Sequence, residues 1–437
     1  MVKKSRHIIK HFFEKITVCK KGLIRSSGLI YIYNSLFETG FIELLKKNTK
    51  DARDISKIKY KLYEMIIAII LHILDGDKRF SQYKRNPNSY IFNRVFQSEK
   101  SPDESSFIKT IRHNPFLTKC LRKILIRHAM DEIISSCKKH KLKKITIDVD
   151  QTAREVHGCQ ENAARGYSAN RKYAKLYQLR IFTVRELKII IDLSLLPGSK
   201  HSSFNFDKEI KRLIKIFKNT GITVLFVGDS GFESGKVCQL INENKHSFIF
   251  AEKQRKDVRR RGKYSKNKKT NRAGTIIFKE CQKKETNRYQ GKFREIFVKV
   301  LSTDGQLWFD FASDQFTNVF VTNLKYTPEN IYKLYKAHAV IETIIEELKN
   351  DFGAGLSHSK YFQVNATMSL CSALAYNIKN TVIDKYKIYI KENQKMKLST
   401  LQSLWIHTPG ILVKHGNRKI LKIAHERFEI FYKLKIA

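Results

Sequence analysis

Lys144-Ile-Thr-Ile-Asp-Val149, closed by Asp150, and Thr223-Val-Leu-Phe-Val-Gly228, closed by Asp229-Ser-Gly-Phe232, decide how this chain is read. Each is a short apolar run rich in β-branched residues, stopped by an acid, as expected of a buried strand reaching solvent at its end. Two further strands are expected over Leu176–Val184 and Leu187–Leu196, separated by Arg185-Glu186 and therefore forming a hairpin. A helix is expected over Asp207–Asn219, a second over Ser234–Asn244, and a strand over Ser247–Ala251. Three strands, a helix, a strand, a helix and a strand describe a mixed α/β domain.

Working outward, residues 1–140 read as a helical region. Ile30–Leu45 and Ile58–Leu74 carry apolar residues at helical spacing, with Gly40 inside the first. Ser101-Pro102-Asp103-Glu104 has the form of a helix start, with Ser101 as N-cap and Pro102 at the first helical position. Another helix is expected over Pro115–Lys139. The first part of the α/β core spans 141–252. Residues 253–322 read as a basic loop and a β-rich insertion, with strands at Thr275–Lys279, Phe293–Leu301, Leu307–Phe311 and Asn318–Val321, and turns at Gly291, Asp304 and Gly305. Within 323–390, Pro328 opens a long helix to about Phe352, capped by Gly353, and a second helix covers Val364–Lys387. Residues 391–437 form a basic tail without an assigned role.

The 437 residues suffice for two or three domains, and an apolar content of 42% supports real cores. The net charge is +43, from 84 Lys and Arg against 41 Asp and Glu. Such self-repulsion calls for an anionic partner, and nucleic acid is the natural one, ahead of an anionic membrane surface. Lys253–Arg272 alone holds eleven basic residues and one acid, with Arg259, Arg260 and Arg261 in a row. That run reads as an exposed DNA-binding loop. Near the N-terminus the apolar run from Met65 reaches only Leu71, or Leu74 if His72 is admitted. That is short of the roughly 20 residues a bilayer needs. No secretory signal is read in the basic start, and the seven cysteines include no Cys-x-x-Cys pair. An intracellular, DNA-associated protein with reduced thiols is expected.

The candidate chemistry rests on three acids. Asp150 and Asp229 close strands, where ligands of α/β sheets gather. Glu342 lies in Tyr335-Lys-Ala-His338-Ala-Val-Ile-Glu342, with Lys349 seven residues further on. On a helix Tyr335, His338, Glu342 and Lys349 share a face, with Glu346 on or near it. The same stripe also suits a solvated amphipathic face. Asp148 competes with Asp150, because alternation puts both on one side of the strand, and one of the two can be structural or an ion-pair partner. Asp192, inside Ile189-Ile-Ile-Asp192, reads as a satisfied partner within the sheet. Two strand-end carboxylates and one on a helix are the hard oxygen donors that Mg²⁺ prefers.

In that order the motifs resemble those of DDE transposases of bacterial insertion sequences. Tyr335, Glu342 and Lys349 fill the helix signature of one subgroup, in which Tyr, Arg, Glu and Lys follow at these spacings, with His338 where Arg is usual. Asp150-Gln-Thr152 resembles the first motif and Gly228-Asp229-Ser-Gly-Phe232 the second. Gly158-Cys-Gln160-Glu161 with Gly166-Tyr167, and Leu348-Lys-Asn-Asp-Phe352-Gly353, are similar to the same group. The resemblance covers about Ile30 to Lys379. It implies a ribonuclease-H-like fold with a β-rich insertion before the Glu helix, and Asp150, Asp229 and Glu342 as the catalytic, metal-binding triad for Mg²⁺, with Mn²⁺ able to substitute. It also implies that Tyr335, His338 and Lys349 contact DNA phosphates, and that the N-terminal helices recognise the terminal repeats. The partners it implies are double-stranded DNA, as terminal inverted repeats and target, and a second copy of the chain in a homodimer. Two rivals stay open: a decayed or repurposed DNA-binding protein, kept alive by His338, and a metal-dependent nuclease that cuts without joining.

Overall fold

The chain is described here by a computed structural model over residues 23–83, 89–96, 101–166, 174–253, 258, 267–270, 276–283, 293–300, 318–386, 396–416 and 418–423. It opens with strand β1 (Leu23–Ile24) and helices α1 (Gly28–Glu38), α2 (Phe41–Asn48), α3 (Leu62–Asp75), α4 (Phe80–Tyr83), α5 (Ser89–Phe96), α6 (Glu104–Arg112) and α7 (Leu117–Lys139). The stretch expected as one helix over Ile30–Leu45 is two. Gly40, at φ +71°, breaks it and precedes α2. The expected cap at Ser101 is also displaced: Asp103 caps α6, its side chain accepting from the Ser106 N–H at 2.8 Å.

The central elements follow as β2 (Lys144–Glu155), β3 (Ala164–Arg165), β4 (Lys175–Val184), β5 (Ile189–Pro197), α8 (Phe206–Phe217), β6 (Thr223–Gly228), α9 (Gly235–Glu243) and β7 (Ser247–Ala251). β5, β4, β2, β6 and β7 lie side by side in that order. The first three are antiparallel, whereas β2, β6 and β7 run parallel. The β4–β5 hairpin turns through Arg185–Lys188, with Lys188 at φ +51°. β2 extends five residues past Asp150, because β4 goes on pairing with it as far as Glu155.

Four more strands, β8 (Asn267–Thr270), β9 (Ile276–Gln282), β10 (Arg294–Val300) and β11 (Asn318–Thr322), follow between Asp229 and Glu342 in the stretch expected as β-rich. β11 pairs antiparallel with β7, so they prolong the central sheet. The expected strand Leu307–Phe311, the turns at Gly291, Asp304 and Gly305, and Arg259, Arg260 and Arg261 lie outside the described residues.

The expected long helix from Pro328 is broken. α10 (Pro328–Lys336) gives way to a 3₁₀ turn over Ala337–Ala339, then to α11 (Val340–Asn350). Gly353, at φ +75°, turns the chain away. α12 (Phe362–Tyr386), α13 (Leu398–Leu401), β12 (Gly410–His415) and β13 (Arg418–Ile423) complete the order. The tail thus has a structural place: β12 pairs with both β13 and β1, joining the two ends of the described chain.

Two large cores flank the sheet, and a smaller one lies where α10 packs on β6 and β7. Ile145, Ile147 and Val149 pack with Phe182, α8, α9 and the second half of α7. On the other face Tyr177, Leu179 and Ile181 pack with α12 and the helices preceding residue 126 in one continuous cluster. No described helix is long and apolar enough to cross a membrane.

Candidate active site

Side chains alternate along β2, so with Ile145, Ile147 and Val149 committed to the α8 face, Asp148, Asp150, Thr152 and Arg154 turn to the other. β2 and β6 pair in parallel from Lys144 opposite Thr223 to Val149 opposite Gly228, and stop there. The next residues, Asp150 and Asp229, therefore stand where two parallel strands part. Gly228 is required at this point. A Cβ there would lie 2.7 Å from Cγ1 of Val149 and 3.3 Å from the Phe232 ring.

Asp150 is half-buried and Asp229 exposed. Burial raises the Asp150 pKa above the ordinary carboxylate value, and the charges of Asp229 and Glu342 raise it further. The Gln151 N–H, donating to Oδ1 at 2.6 Å, and His338 pull it down. Glu342 is exposed in the first turn of α11, close enough to act electrostatically on both Asp150 and Tyr335. The Tyr335 hydroxyl donates to Asp229 Oδ1 at 2.8 Å. Burial, then the neighbouring acids, push that phenol well above its ordinary value, so it remains a donor. Lys349, about two turns beyond Glu342 on α11, reaches the Thr152 hydroxyl at 3.4 Å and the Ala153 carbonyl at 3.2 Å.

Asp148 has a different office. It is 0% exposed. Arg185 grips both of its oxygens, at 2.8 and 2.5 Å, and His338 Nδ1 lies 2.8 Å from Oδ1. Arg185 also donates to the Leu334 carbonyl at 2.8 Å. This clamp ties the end of α10 and the 3₁₀ turn to β2, which sets the aim of both Tyr335 and Glu342. His338, expected as a phosphate contact, is turned inward and is 7% exposed. Its partner is a carboxylate of its own chain, Asp148 on β2. Asp192 is satisfied as expected, held by Arg122 at 2.6 and 2.9 Å and by Arg212.

Asp150, Asp229 and Lys349 line one open cleft of about 900 Å³. As the side chains stand, the described residues contain no group of three or more His, Cys, Asp or Glu gathered tightly enough to grip a metal ion. Tyr335 occupies one oxygen of Asp229, and Glu342 faces outward from α11. The donor set is nonetheless the hard, all-oxygen kind that suits Mg²⁺, and Asp150 is held above its ordinary pKa by burial first, with the charges of Asp229 and Glu342 adding to it. Sequence reasoning passed over Arg185, which looked like an ordinary turn residue. It also passed over Arg180, although an arginine inside the apolar run Leu176–Val184 was itself a signal.

Residues 13–431 match the transposase DDE domain, group 1. The chain belongs to that family. It is therefore a DDE-type transposase, an enzyme that cleaves and transfers DNA. Among solved structures a piggyBac transposase synaptic complex with hairpin DNA is similar at 11% identity and a TM-score of 0.47, over 89% of this chain and 82% of that one. A search among curated proteins finds no match.

Proposed function

We propose that this transposase cuts and joins the ends of an insertion-sequence element in a Mg²⁺-dependent reaction, on a ribonuclease-H-like core. The observation that carries this reading is the parallel register of β2 and β6, which sets Asp150 beside Asp229 with Glu342 acting on Asp150. The strand order β5-β4-β2-β6-β7, three antiparallel and then two parallel, supports the ribonuclease-H-like assignment. Asp150, Asp229 and Glu342 are the residues that would hold the metal. The chemistry supplied by bound Mg²⁺, or Mn²⁺, at such a site is activation of the attacking oxygen and neutralisation of charge on the leaving oxygen.

The chain's own residues do the rest. Tyr335 orients Asp229 through its hydroxyl, and Asp148 with Arg185 and His338 holds the helix that carries Glu342. Lys349 presents an ammonium group to the cleft, where it fixes a phosphate of the scissile strand. Double-stranded DNA is the substrate, as element ends and as target, and a homodimer would hold two ends together. The N-terminal helices and the arginines at 259, 260 and 261 would add sequence recognition and non-specific grip.

The test is incubation of the full-length protein with Mg²⁺ and duplexes bearing the DNA that flanks its gene. Cleavage at the element boundary followed by joining to a target is expected. Cutting without joining would leave a nuclease. Binding without cutting would leave a DNA-binding protein.

A further inference from the structure

The cleft does not end at the acids. From Asp150 it runs along β2 past Thr152 and Ala153 to Arg165 and Gly166, with Gly198–Ser202 as its wall. Arg165 pairs with Lys175, whose carbonyl accepts from the Val156 N–H. It is thus level with Val156, just past the end of β2 and six residues beyond Asp150, or about 20 Å at the rise of a strand. The lining is polarised. Asp150 and Asp229 are its acids; the 198–202 loop runs from Gly198, against Gly166 beside Arg165, to His201 and Ser202, against Gly231 beside Asp229, so Lys200 stands between the two ends and Lys349 reaches in over Thr152 and Ala153.

This wall is held rigidly. Arg180 is 0% exposed. It donates to the carbonyls of Ser202 at 2.8 Å and Phe204 at 2.9 Å, and to Gln151 Oε1 at 3.1 and 3.2 Å. The Gln151 amide in turn donates to the Lys200 carbonyl at 3.2 Å. Gly231 lets the Asp229 turn close on the same loop, since a Cβ there would meet Ser202 Oγ at 2.1 Å. A buried guanidinium therefore fixes Lys200 relative to Asp150 through Gln151. A lysine on a merely solvated loop has no such support.

We infer that Lys200 and Arg165, with Lys349, form a track for the sugar–phosphate backbone of one DNA strand leading away from the scissile phosphate. The inference rests on the transposase reading of the cleft. At one phosphate per 3.4 Å of axis per strand, about 20 Å gives room for several phosphates. A file of separate cations beside an acid pair suits an extended polyanion better than a compact anion, which would draw the cations together. Lys200 and Arg165 are positioning residues here. They hold the strand in register with the acids and do not touch the reacting atoms.

The probe is a fluorescent duplex of mixed sequence with a single-stranded 3′ extension, since phosphate contacts do not depend on sequence. Binding by the full chain, without divalent metal, is measured across a salt series. The Arg165→Gln/Lys200→Gln variant should lose about 0.7 in the log–log salt slope for each contact removed. Lys215→Gln, at an exposed position in the last turn of α8 on the face of the sheet opposite Asp150, should change nothing. In Mg²⁺-dependent cleavage the double variant should raise KM roughly tenfold with little change in kcat, as loss of uniform binding requires. Uncharged methylphosphonate linkages on one side of the cut should weaken wild type and leave the double variant indifferent. An unchanged salt slope and KM in a double variant that melts like wild type would overturn the track while leaving the transposase reading intact. A wild-type chain that neither binds the probe nor cuts DNA would instead remove the reading beneath it.

Discussion

Two aspartates on one face of β2, two residues apart, have opposite energetics. The Asp150 carboxyl is held above its ordinary 3.8, first by burial and then by Asp229 and Glu342, with Gln151 and His338 only partly opposing. Its stabilising contribution is fully present below the unfolded value and is lost as pH rises through the higher folded one. At neutral pH the charged form is therefore a burden. Asp150→Asn should raise the thermal midpoint while abolishing cleavage, a trade expected of a functional site. Mg²⁺ should raise the midpoint of wild type by binding the folded state and have little effect on Asp150→Asn. If the substitution lowers stability at neutral pH, Asp150 does not sit among like charges. Asp148→Asn should do the reverse and cost roughly 3–5 kcal/mol, because Arg185 and His338 would keep buried donors without a counter-charge. Denaturant unfolding of the two variants side by side decides it. Glu342→Gln should leave DNA affinity near wild type and lower Mg²⁺-dependent cleavage by several orders of magnitude. Equal cutting by that variant would sink the triad.

The elements carry the aim of these side chains. β2 and β6 were readable because β-branched, apolar runs are a local signal, and Thr223–Gly228 is observed with the bounds expected for it. The break over Ala337–Ala339 was not readable, since neither Gly nor Pro marks it. It follows from His338 and the Leu334 carbonyl being drawn to Asp148 and Arg185. At the other end of the site, Gly228→Ala should cost about 1–3 kcal/mol by forcing its methyl against Val149, which is fully buried. Activity should fall with it as Asp229 shifts. Val149→Ala added to Gly228→Ala should recover part of the activity, a coupling expected only of neighbours in contact. Strict additivity of the two losses would mean that Gly228 acts elsewhere.

At the scale of the whole molecule, the two ends of the described chain meet. β1 and β12 pair, and His407 anchors the preceding turn to α3, its Nε2 lying 2.9 Å from the Asp75 carbonyl and 3.4 Å from Asp75 Oδ1. Hydrogen bonding to the Asp75 carboxylate raises the His407 pKa, against burial. Its contribution is thus fully present below the unfolded value of 6.5 and is lost as pH rises through the folded one. Amide exchange in β12 and β13, corrected for intrinsic rates, should be slower at about pH 6 than at about pH 8, and His407→Gln should remove the difference. A pH-independent protection pattern in wild type would show that the pair does not hold the tail.

What the sequence determined alone was local. Apolar periods identified the strands, their order around two helices identified a mixed α/β core, and acids interrupting apolar runs identified Asp150, Asp229 and the two decoys Asp148 and Asp192. Alternation could place Asp148 and Asp150 on one face but could not rank them. The groups that neutralise Asp148 come from a hairpin 37 residues on and a turn 190 residues on. Tertiary structure alone decided that His338 turns inward, that the later strands prolong the central sheet, and that Arg180 fixes the wall of the cleft. Periodicity is written in neighbours along the chain. Pairing of charges and of strands is settled by residues far apart in sequence, whose meeting depends on the packing of the whole.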